Sequence, residues 1–337
     1  MGLKAGLNLL QQTGKVATGY VDDAARVFCR KAKPINPTEL KSLRFASDAV
    51  GDCLTRSLQA KVFTNFSKKI AGVQSSDDLT ILAQEFKKLD LDDVMRQELI
   101  SQYVSKYESF YNQLYTGKTF EPRVLFKQIF GKDLSEEAAQ TLCSKYKEIL
   151  SEPDFNKFLE QLHIQVKKDF GLDYIDSRLE LIPQNGIAFS MGSSKFLDFI
   201  KVRFFKDNPT NRRKAFELMM HEVNHMRQTE ISIAVNPCEY VKAIQKQSNK
   251  TLKEIVKQFD SSKNRAIQKK YGEITIDSPL YNRGMAYIES TGNYFSPRDN
   301  FTAERFLAYK KQLIEAESYA VQDRAGELFY FLTGNAI

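Results

Sequence analysis

The chain has 337 residues, and a composition of 42% hydrophobic and 27% charged residues is typical of a globular protein with one large domain or two. This composition excludes a collagen-like or wholly disordered chain, and no run of about 18 apolar residues predicts a transmembrane helix. The 49 basic and 42 acidic residues leave a net charge of +7, which suits acidic partners without requiring nucleic acid.

The cysteines and the N-terminal segment indicate where the chain resides. Four scattered cysteines, Cys29, Cys53, Cys143 and Cys238, form no CxxC pair, so we expect reduced thiols rather than disulfides or a cysteine zinc site. The N-terminal segment lacks a continuous apolar stretch and does not predict a secretory signal peptide. We therefore expect a cytoplasmic protein, or one exported by a route without a classical signal peptide.

Residues 1–150 are predicted to form a mostly helical region. Apolar residues recur three and four positions apart in the segments 75–115 and 132–150, and Asp133 or Ser135 supplies an N-cap for the second segment. No candidate catalytic residues occur here, so the role of this region stays open. A prodomain, a targeting module and a platform that binds a partner protein all fit its composition.

The part of the chain from 151 to 337 is predicted to contain a small sheet. An apolar stripe predicts a helix over about 155–170, and Gly171 ends it. Alternating apolar residues then predict strands within 178–205, with Asn185-Gly186 as the turn between two of them. We therefore expect a small antiparallel sheet in a fold of class α+β, predominantly α.

Helices and one long loop are predicted after the sheet. A helix entered near Pro209 contains two of the three histidines of the chain, and a short helix begins near Leu252 in a lysine-rich segment. Residues 277–300 are rich in glycine, proline, asparagine and serine, which predicts a loop. A final helix is predicted over 312–332.

The histidine-bearing helix carries the sequence His-Glu-x-x-His at His221, Glu222 and His225. Residues four apart project from one face of a helix, so both imidazoles can bind one metal ion. Glu222 points to the side, where it can reach a water molecule without coordinating the ion. The flanking residues are mostly apolar, and two buried imidazoles without a partner would be costly to desolvate.

This motif resembles that of the zinc metallopeptidases with His-Glu-x-x-His, in the form where Gln228 follows the second histidine by three positions. The preceding strands are similar to the edge strand on which these enzymes hold an extended substrate. The resemblance covers about residues 170–337 and none of the first 150. It implies a zincin-like metallopeptidase domain within 151–337, a Zn²⁺ cofactor and a polypeptide substrate.

A third ligand distinguishes the branches of this family. Position 231 is isoleucine and no histidine follows His225, which excludes the metzincin arrangement. The resemblance then implies a gluzincin arrangement, with a downstream glutamate as the third ligand. Glu315, with Ser318 and Tyr319 after it, fits that pattern by its spacing, and Tyr319 is expected to support a ligand histidine.

Helical periodicity favours a different glutamate as the buried one. Leu313, Ile314, Ala320 and Val321 surround Glu317 on the helical wheel, so Glu317 is expected to be more buried than Glu315. The predicted metal ligands are therefore His221, His225 and Glu315, and Glu317, Glu289 and Glu304 are the alternatives to Glu315.

The resemblance implies that Glu222 acts as the general base towards a zinc-bound water, which attacks the peptide carbonyl. A second group that stabilises the oxyanion is usual in such enzymes, and its candidates here are His163, Tyr281, Tyr287 and Tyr294.

Two other functions fit the same residues. One is a catalytically inactive zincin-like protein that keeps the zinc and serves in an interaction. The other is a basic helical module that binds nucleic acid or an acidic surface through the lysines of 242–270. The peptidase is favoured, and for it no nucleic acid partner is expected.

Overall fold

The computed structural model describes residues 58–86, 88–183, 190–204, 209–297 and 302–334, together with Thr55. The chain divides into two units, Met1–Val62 and Phe63–Ile337. The described residues of the first unit are helical. All elements labelled below belong to the second unit.

Helices dominate the second unit before the sheet, and several begin at a capping residue. The side chains of Asp92, Ser135 and Asp154 accept hydrogen bonds from backbone N–H groups in the first turn of the helix that each precedes. Of the two predicted N-caps, Asp133 and Ser135, it is Ser135 that caps the helix. Residues 63–72 are helical, and the helices that follow them are α1 (Ser76–Phe86), α2 (Asp93–Tyr115), α3 (Pro122–Phe130), α4 (Glu136–Leu150) and α5 (Phe155–Asp169).

The sheet has three strands, β1 (Arg178–Pro183), β2 (Ser190–Ser193) and β3 (Phe199–Phe204), in the order β1-β3-β2. β2 pairs antiparallel with β3, but β1 pairs parallel with it, so the predicted antiparallel sheet is in fact mixed. The predicted turn at Asn185-Gly186 lies outside the described residues. Strands β1 and β2 do not pair with each other, because β3 lies between them. The predicted class, α+β and predominantly α, is confirmed.

The three helices predicted after the sheet, near Pro209, near Leu252 and over 312–332, are present, and the helices Pro237–Lys246, Ser261–Tyr271 and Ala303–Lys310 were not predicted. Residues 277–300, predicted as loop, contain a helix from Pro279 to Gly292. Ser278 caps this helix and Pro279 occupies its first turn, so the same residue types that indicate a loop here start a helix. The helices are α6 (Pro209–Val235), α7 (Pro237–Lys246), α8 (Leu252–Gln258), α9 (Ser261–Tyr271), α10 (Pro279–Gly292), α11 (Ala303–Lys310) and α12 (Leu313–Thr333).

Helix α6 lies at the centre of this unit. Its 27 residues span about 40 Å. Helices α5, α7, α9, α10 and α12 and strand β2 all pack against it. Because partners surround it, α6 is buried on most sides and covers both apolar and polar side chains. Its buried apolar residues include Ala215, Phe216, Met219, Met220, Val223 and Met226, and its buried polar residues include Glu217, His221, Glu222 and Asn224.

Helices that precede residue 150 pack on those that follow it. α12 contacts α3 and α4, and the Tyr111 hydroxyl of α2 donates a hydrogen bond to Glu217 of α6. The domain boundary at residue 150 stays a prediction. In the described part of the chain, every helix is too short or too polar to cross a membrane.

Candidate metal centre

Helix α6 presents the two motif histidines to one point. The Nε2 atoms of His221 and His225 lie 3.0 Å apart, and the two rings are 4.7 Å apart between centroids at an angle of 78°. This arrangement is local, because residues four apart share one face of a helix. His221 is 4% exposed, so its imidazole needs a partner inside the protein.

Glu315 completes a group of three from the first turn of α12. Its two carboxylate oxygens each lie 3.5 Å from a histidine Nε2, one from His221 and the other from His225. Ligands about 2.1 Å from a tetrahedral zinc ion stand about 3.4 Å from one another. Within the described residues, this is the only group of three histidine, cysteine or acidic side chains with ligand atoms so close together.

The other glutamates proposed for the third position lie elsewhere. Glu317 accepts hydrogen bonds from Tyr287 at 2.5 Å and from Arg283 at 3.2 Å, and it is more exposed than Glu315. The expectation from periodicity, that Glu317 is the more buried glutamate, is therefore wrong. Its apolar neighbours Leu313 and Ala320 are exposed, so they do not mark the buried face of α12. Glu289 and Glu304 are exposed.

The electrostatics of the three residues show how strongly they interact. Burial alone would lower the pKa of His225, but the Glu315 carboxylate raises it to about 9. Burial alone would raise the pKa of Glu315, but His225 and His221 hold it well below its ordinary value. The start of α12 also favours a carboxylate, because the helix dipole is positive there. Glu315 is therefore ionised at neutral pH.

The donor set fits a divalent metal ion. The Oε2 atom of Glu315, which faces His221 Nε2, is buried and has no hydrogen-bond partner among the described residues. An unsatisfied charged oxygen is costly inside a protein, and a cation that binds it removes that cost. Two imidazoles and one carboxylate are the ligands of many catalytic zinc sites, which keep a further position open.

A hydrogen-bonded amide orients His225 for this role. Gln228 donates from Nε2 to the carbonyl of Ile314, which leaves its Oε1 to face His225 Nδ1 at 2.9 Å. Because Oε1 only accepts, Nδ1 carries a proton, and the lone pair of a neutral His225 is on Nε2. Ser318 Oγ lies 3.2 Å from the same Nδ1. Contacts of this kind fix the tautomer of metal-binding histidines.

The ring of Tyr319 packs edge-on against that of His221, with centroids 4.9 Å apart. This position agrees with the expected support for a ligand histidine.

Glu222 lies beside the three residues and is held by the sheet. Its Oε2 accepts a hydrogen bond of 2.7 Å from the backbone N–H of Ser193, the last residue of β2. One carboxylate oxygen is thus fixed while the other stays available. Glu222, His225 and Glu315 line one cleft of about 370 Å³, together with residues of β2.

Two of the four predicted candidates for an oxyanion-stabilising group line the cleft, and two do not. Tyr287 and Tyr294 line the cleft, and Tyr287 is engaged by Glu317. Tyr281 does not line it. His163 lies away from it on α5, buried and 3.3 Å from Ser177, and burial lowers the pKa of His163 to about 4.

Tyr309 was missed from the sequence, yet it lines the cleft and its hydroxyl lies 3.4 Å from that of Tyr294. Ser318 was noted only for its spacing from Glu315, and Ser193 was not noted at all. No local pattern marks any of the three, because they reach the site through the packing of α11, α12 and β2. The position of Gln228, three residues after the motif as in the family that the motif resembles, was the one sequence signal for a site residue other than the metal ligands and Glu222.

Comparison with known proteins finds no protein-family model, curated protein or solved structure that matches this chain. The chemistry proposed for the protein therefore depends on the geometry of this site.

Proposed function

We propose that this chain is a zinc-dependent peptidase, in which His221, His225 and Glu315 hold the metal and Glu222 is the general base. The observation that carries the proposal is the convergence of the ligand atoms of His221, His225 and Glu315 at the edge of a cleft that Glu222, His225 and Glu315 line. Zinc is preferred because two imidazoles and one carboxylate, with a position left open, are typical of catalytic zinc sites. Zinc supplies Lewis-acid activation of water and of a carbonyl oxygen when it is bound there.

The residues of the chain divide the remaining work. Glu222 uses the carboxylate oxygen that Ser193 leaves available to accept a proton from the attacking water, and then delivers the proton to the leaving amine. Gln228 keeps His225 in the tautomer that binds a metal. Tyr294 and Tyr309 are the tyrosines of the cleft that we assign to the developing oxyanion, because Tyr287 is engaged by Glu317 and the hydroxyls of the other two lie 3.4 Å apart.

Strand β2 offers a place for the substrate backbone. It is an edge strand of the sheet, paired with β3 on one side, and its residues Met191 to Ser193 line the cleft. An extended peptide can add to such an edge through main-chain hydrogen bonds. The peptide would then run past Glu222, which Ser193 holds at the end of the strand.

The experiment compares the wild type with Glu222→Gln and with Glu304→Gln, a change of an exposed acid outside the cleft. Zinc is measured by elemental analysis of the purified full chain, and cleavage is measured on an unfolded protein and a peptide library. We expect zinc in all three proteins and a loss of cleavage of at least about a hundredfold in Glu222→Gln alone. Equal cleavage by Glu222→Gln and the wild type would refute the assignment of the base.

This experiment and a binding test on a polyanion separate the proposal from its alternatives. Zinc without cleavage by the wild type would favour an interaction protein. Retention on a polyanion that survives His221→Ala would favour the basic module. Two lysines of that module are already engaged, because Lys263 pairs with Asp198 and Lys270 with Glu230.

A further inference from the structure

The charged residues that line the cleft are unevenly distributed by sign. Its acidic side chains, Glu222 and Glu315, both belong to the metal centre described above. The remaining charged side chains apart from His225 are all basic, and they come from β3 and from the segment that follows β2: Lys195, Lys201 and Arg203. Substrate groups beyond the reacting bond therefore meet positive charge.

Two of the basic residues project from one face of β3. Ile200 and Val202 are fully buried in the core, so the alternation of a strand places Lys201 and Arg203 on the opposite face. Lys201 lies opposite Gly192 of β2, and Arg203 lies opposite Ser190. Because Gly192 has no side chain, nothing from that position of β2 covers Lys201 on the side of the cleft.

The third basic residue lies at the other end of β2. Lys195 is two positions beyond Ser193, and its Nζ is 5.1 Å from the centre of the Tyr294 ring. Burial lowers the pKa of Lys195. Among the described residues, neither Lys195 nor Arg203 is paired with a carboxylate, whereas Lys201 Nζ lies 3.5 Å from Glu180. A partly buried cation without a counter-ion gains most from an anionic ligand.

The spacing of these residues matches an extended chain. Lys201 and Arg203 are two positions apart, which is about 6.6 Å along a strand. Side chains of a peptide paired with β2 alternate between faces with the same repeat, so every second one would face the basic residues.

We propose that the cleft selects acidic polypeptide segments, with carboxylates at alternate positions that meet Lys201 and Arg203 and a further carboxylate that meets Lys195. This proposal states the substrate class of the proposed peptidase and rests on that function. Its test measures binding and does not require cleavage. The net charge of +7 adds a weaker attraction for the same class.

The test measures binding in the Glu222→Gln background, where hydrolysis does not interfere. The probe is a short fluorescent peptide with glutamate at every second position, and the reference peptide has glutamine there. Binding is followed by fluorescence anisotropy at low and physiological salt. The double variant Lys201→Gln/Arg203→Gln and the single variant Lys195→Met are compared with Lys250→Gln/Lys253→Gln, which removes two exposed charges outside the cleft.

We expect the glutamate peptide to bind about tenfold more tightly than the glutamine peptide. The preference should disappear in the β3 double variant, shrink in Lys195→Met and persist in the control. Equal affinity for the two peptides, no binding of either, or a preference that survives the double variant would overturn the proposal. A single-stranded DNA that binds as tightly as the glutamate peptide, through the same residues, would overturn the assignment to polypeptide.

The outcome is separable from that of the proposed function. A preference for the glutamate peptide in a protein whose wild type cleaves nothing supports the selection of acidic segments by the cleft and refutes the peptidase. Cleavage that is indifferent to acidic residues supports the peptidase and refutes that selection.

Discussion

Replacing Glu217 with glutamine should change how the stability of the fold depends on pH. This glutamate lies on α6 one turn before His221, is 1% exposed, and accepts a hydrogen bond of 2.7 Å from Tyr111. Its second oxygen has no hydrogen-bond partner among the described residues. Burial raises the pKa of Glu217 to about 7, although Tyr111, Arg213 and Lys214 act in the opposite direction.

The magnitude follows from the difference in pKa between the folded and the unfolded chain. The unfolded chain loses this proton near its ordinary pKa of 4.5, whereas the folded chain keeps it until about pH 7. Between these values the folded state binds more protons, so the free energy of unfolding falls as the pH rises. The contribution is fully present below pH 4.5 and amounts to about 3 kcal/mol, all of it lost above pH 7.

Glu217→Gln removes this titration and keeps an oxygen that accepts from Tyr111. The free energy of unfolding of the variant, relative to the wild type, should therefore rise by about 3 kcal/mol between about pH 4.5 and 7.5. The window ends below pH 8 because burial lowers the pKa of Lys214 to about 8. The comparison is made between two pH values, so any change in the free energy of unfolding that the substitution causes equally at every pH cancels.

The assay is urea unfolding followed by circular dichroism, with EDTA present so that metal binding does not contribute. Glu160→Gln, which removes an exposed acid on α5, controls for the loss of one negative charge. The slope of the transition should be the same for all three proteins. The difference in free energy of unfolding between Glu217→Gln and the wild type could instead vary by less than about 1 kcal/mol across this pH range. That result would refute the raised pKa and show that Glu217 is ionised in the fold.

Three further predictions concern the metal centre and the packing around it. Glu315→Ala should lose stoichiometric zinc by elemental analysis. Glu317→Ala should keep zinc with an affinity about 10–100-fold weaker, because Glu317 contacts Gln228 rather than the metal position. Equal losses of zinc in the two variants would contradict the assignment of Glu315. Removal of metal by chelation should lower the Tm of the wild type but not of Glu315→Ala, since a ligand that binds only the folded state stabilises it. Gly284→Ala should lower the free energy of unfolding by about 1–3 kcal/mol in a urea titration. The Cβ of the alanine would lie 2.5 Å from a methyl group of Val235. An unchanged midpoint of unfolding would contradict the close packing of α10 on α6.

Some residues of the candidate site could be predicted from sequence spacing alone, and others could not. The pair of histidines and Glu222 were evident because they belong to one helix, where sequence spacing determines which side chains share a face. Glu315 was selected by a family spacing, while the helical wheel favoured Glu317. The wheel failed because it treats every apolar residue as buried, and apolar residues are common on protein surfaces.

Local sequence patterns were enough to predict most of the helices, the positions of three strands and the two imidazoles on one turn of α6. They were enough because helix caps and apolar periodicity act over a few residues. Only the tertiary structure decided which strands pair and that residues 279–292 form a helix against α6. It also decided that Glu315 meets the histidines from about 90 positions away and that Ser193 holds Glu222. These contacts join distant segments, so their free energy depends on how whole elements pack rather than on any local pattern.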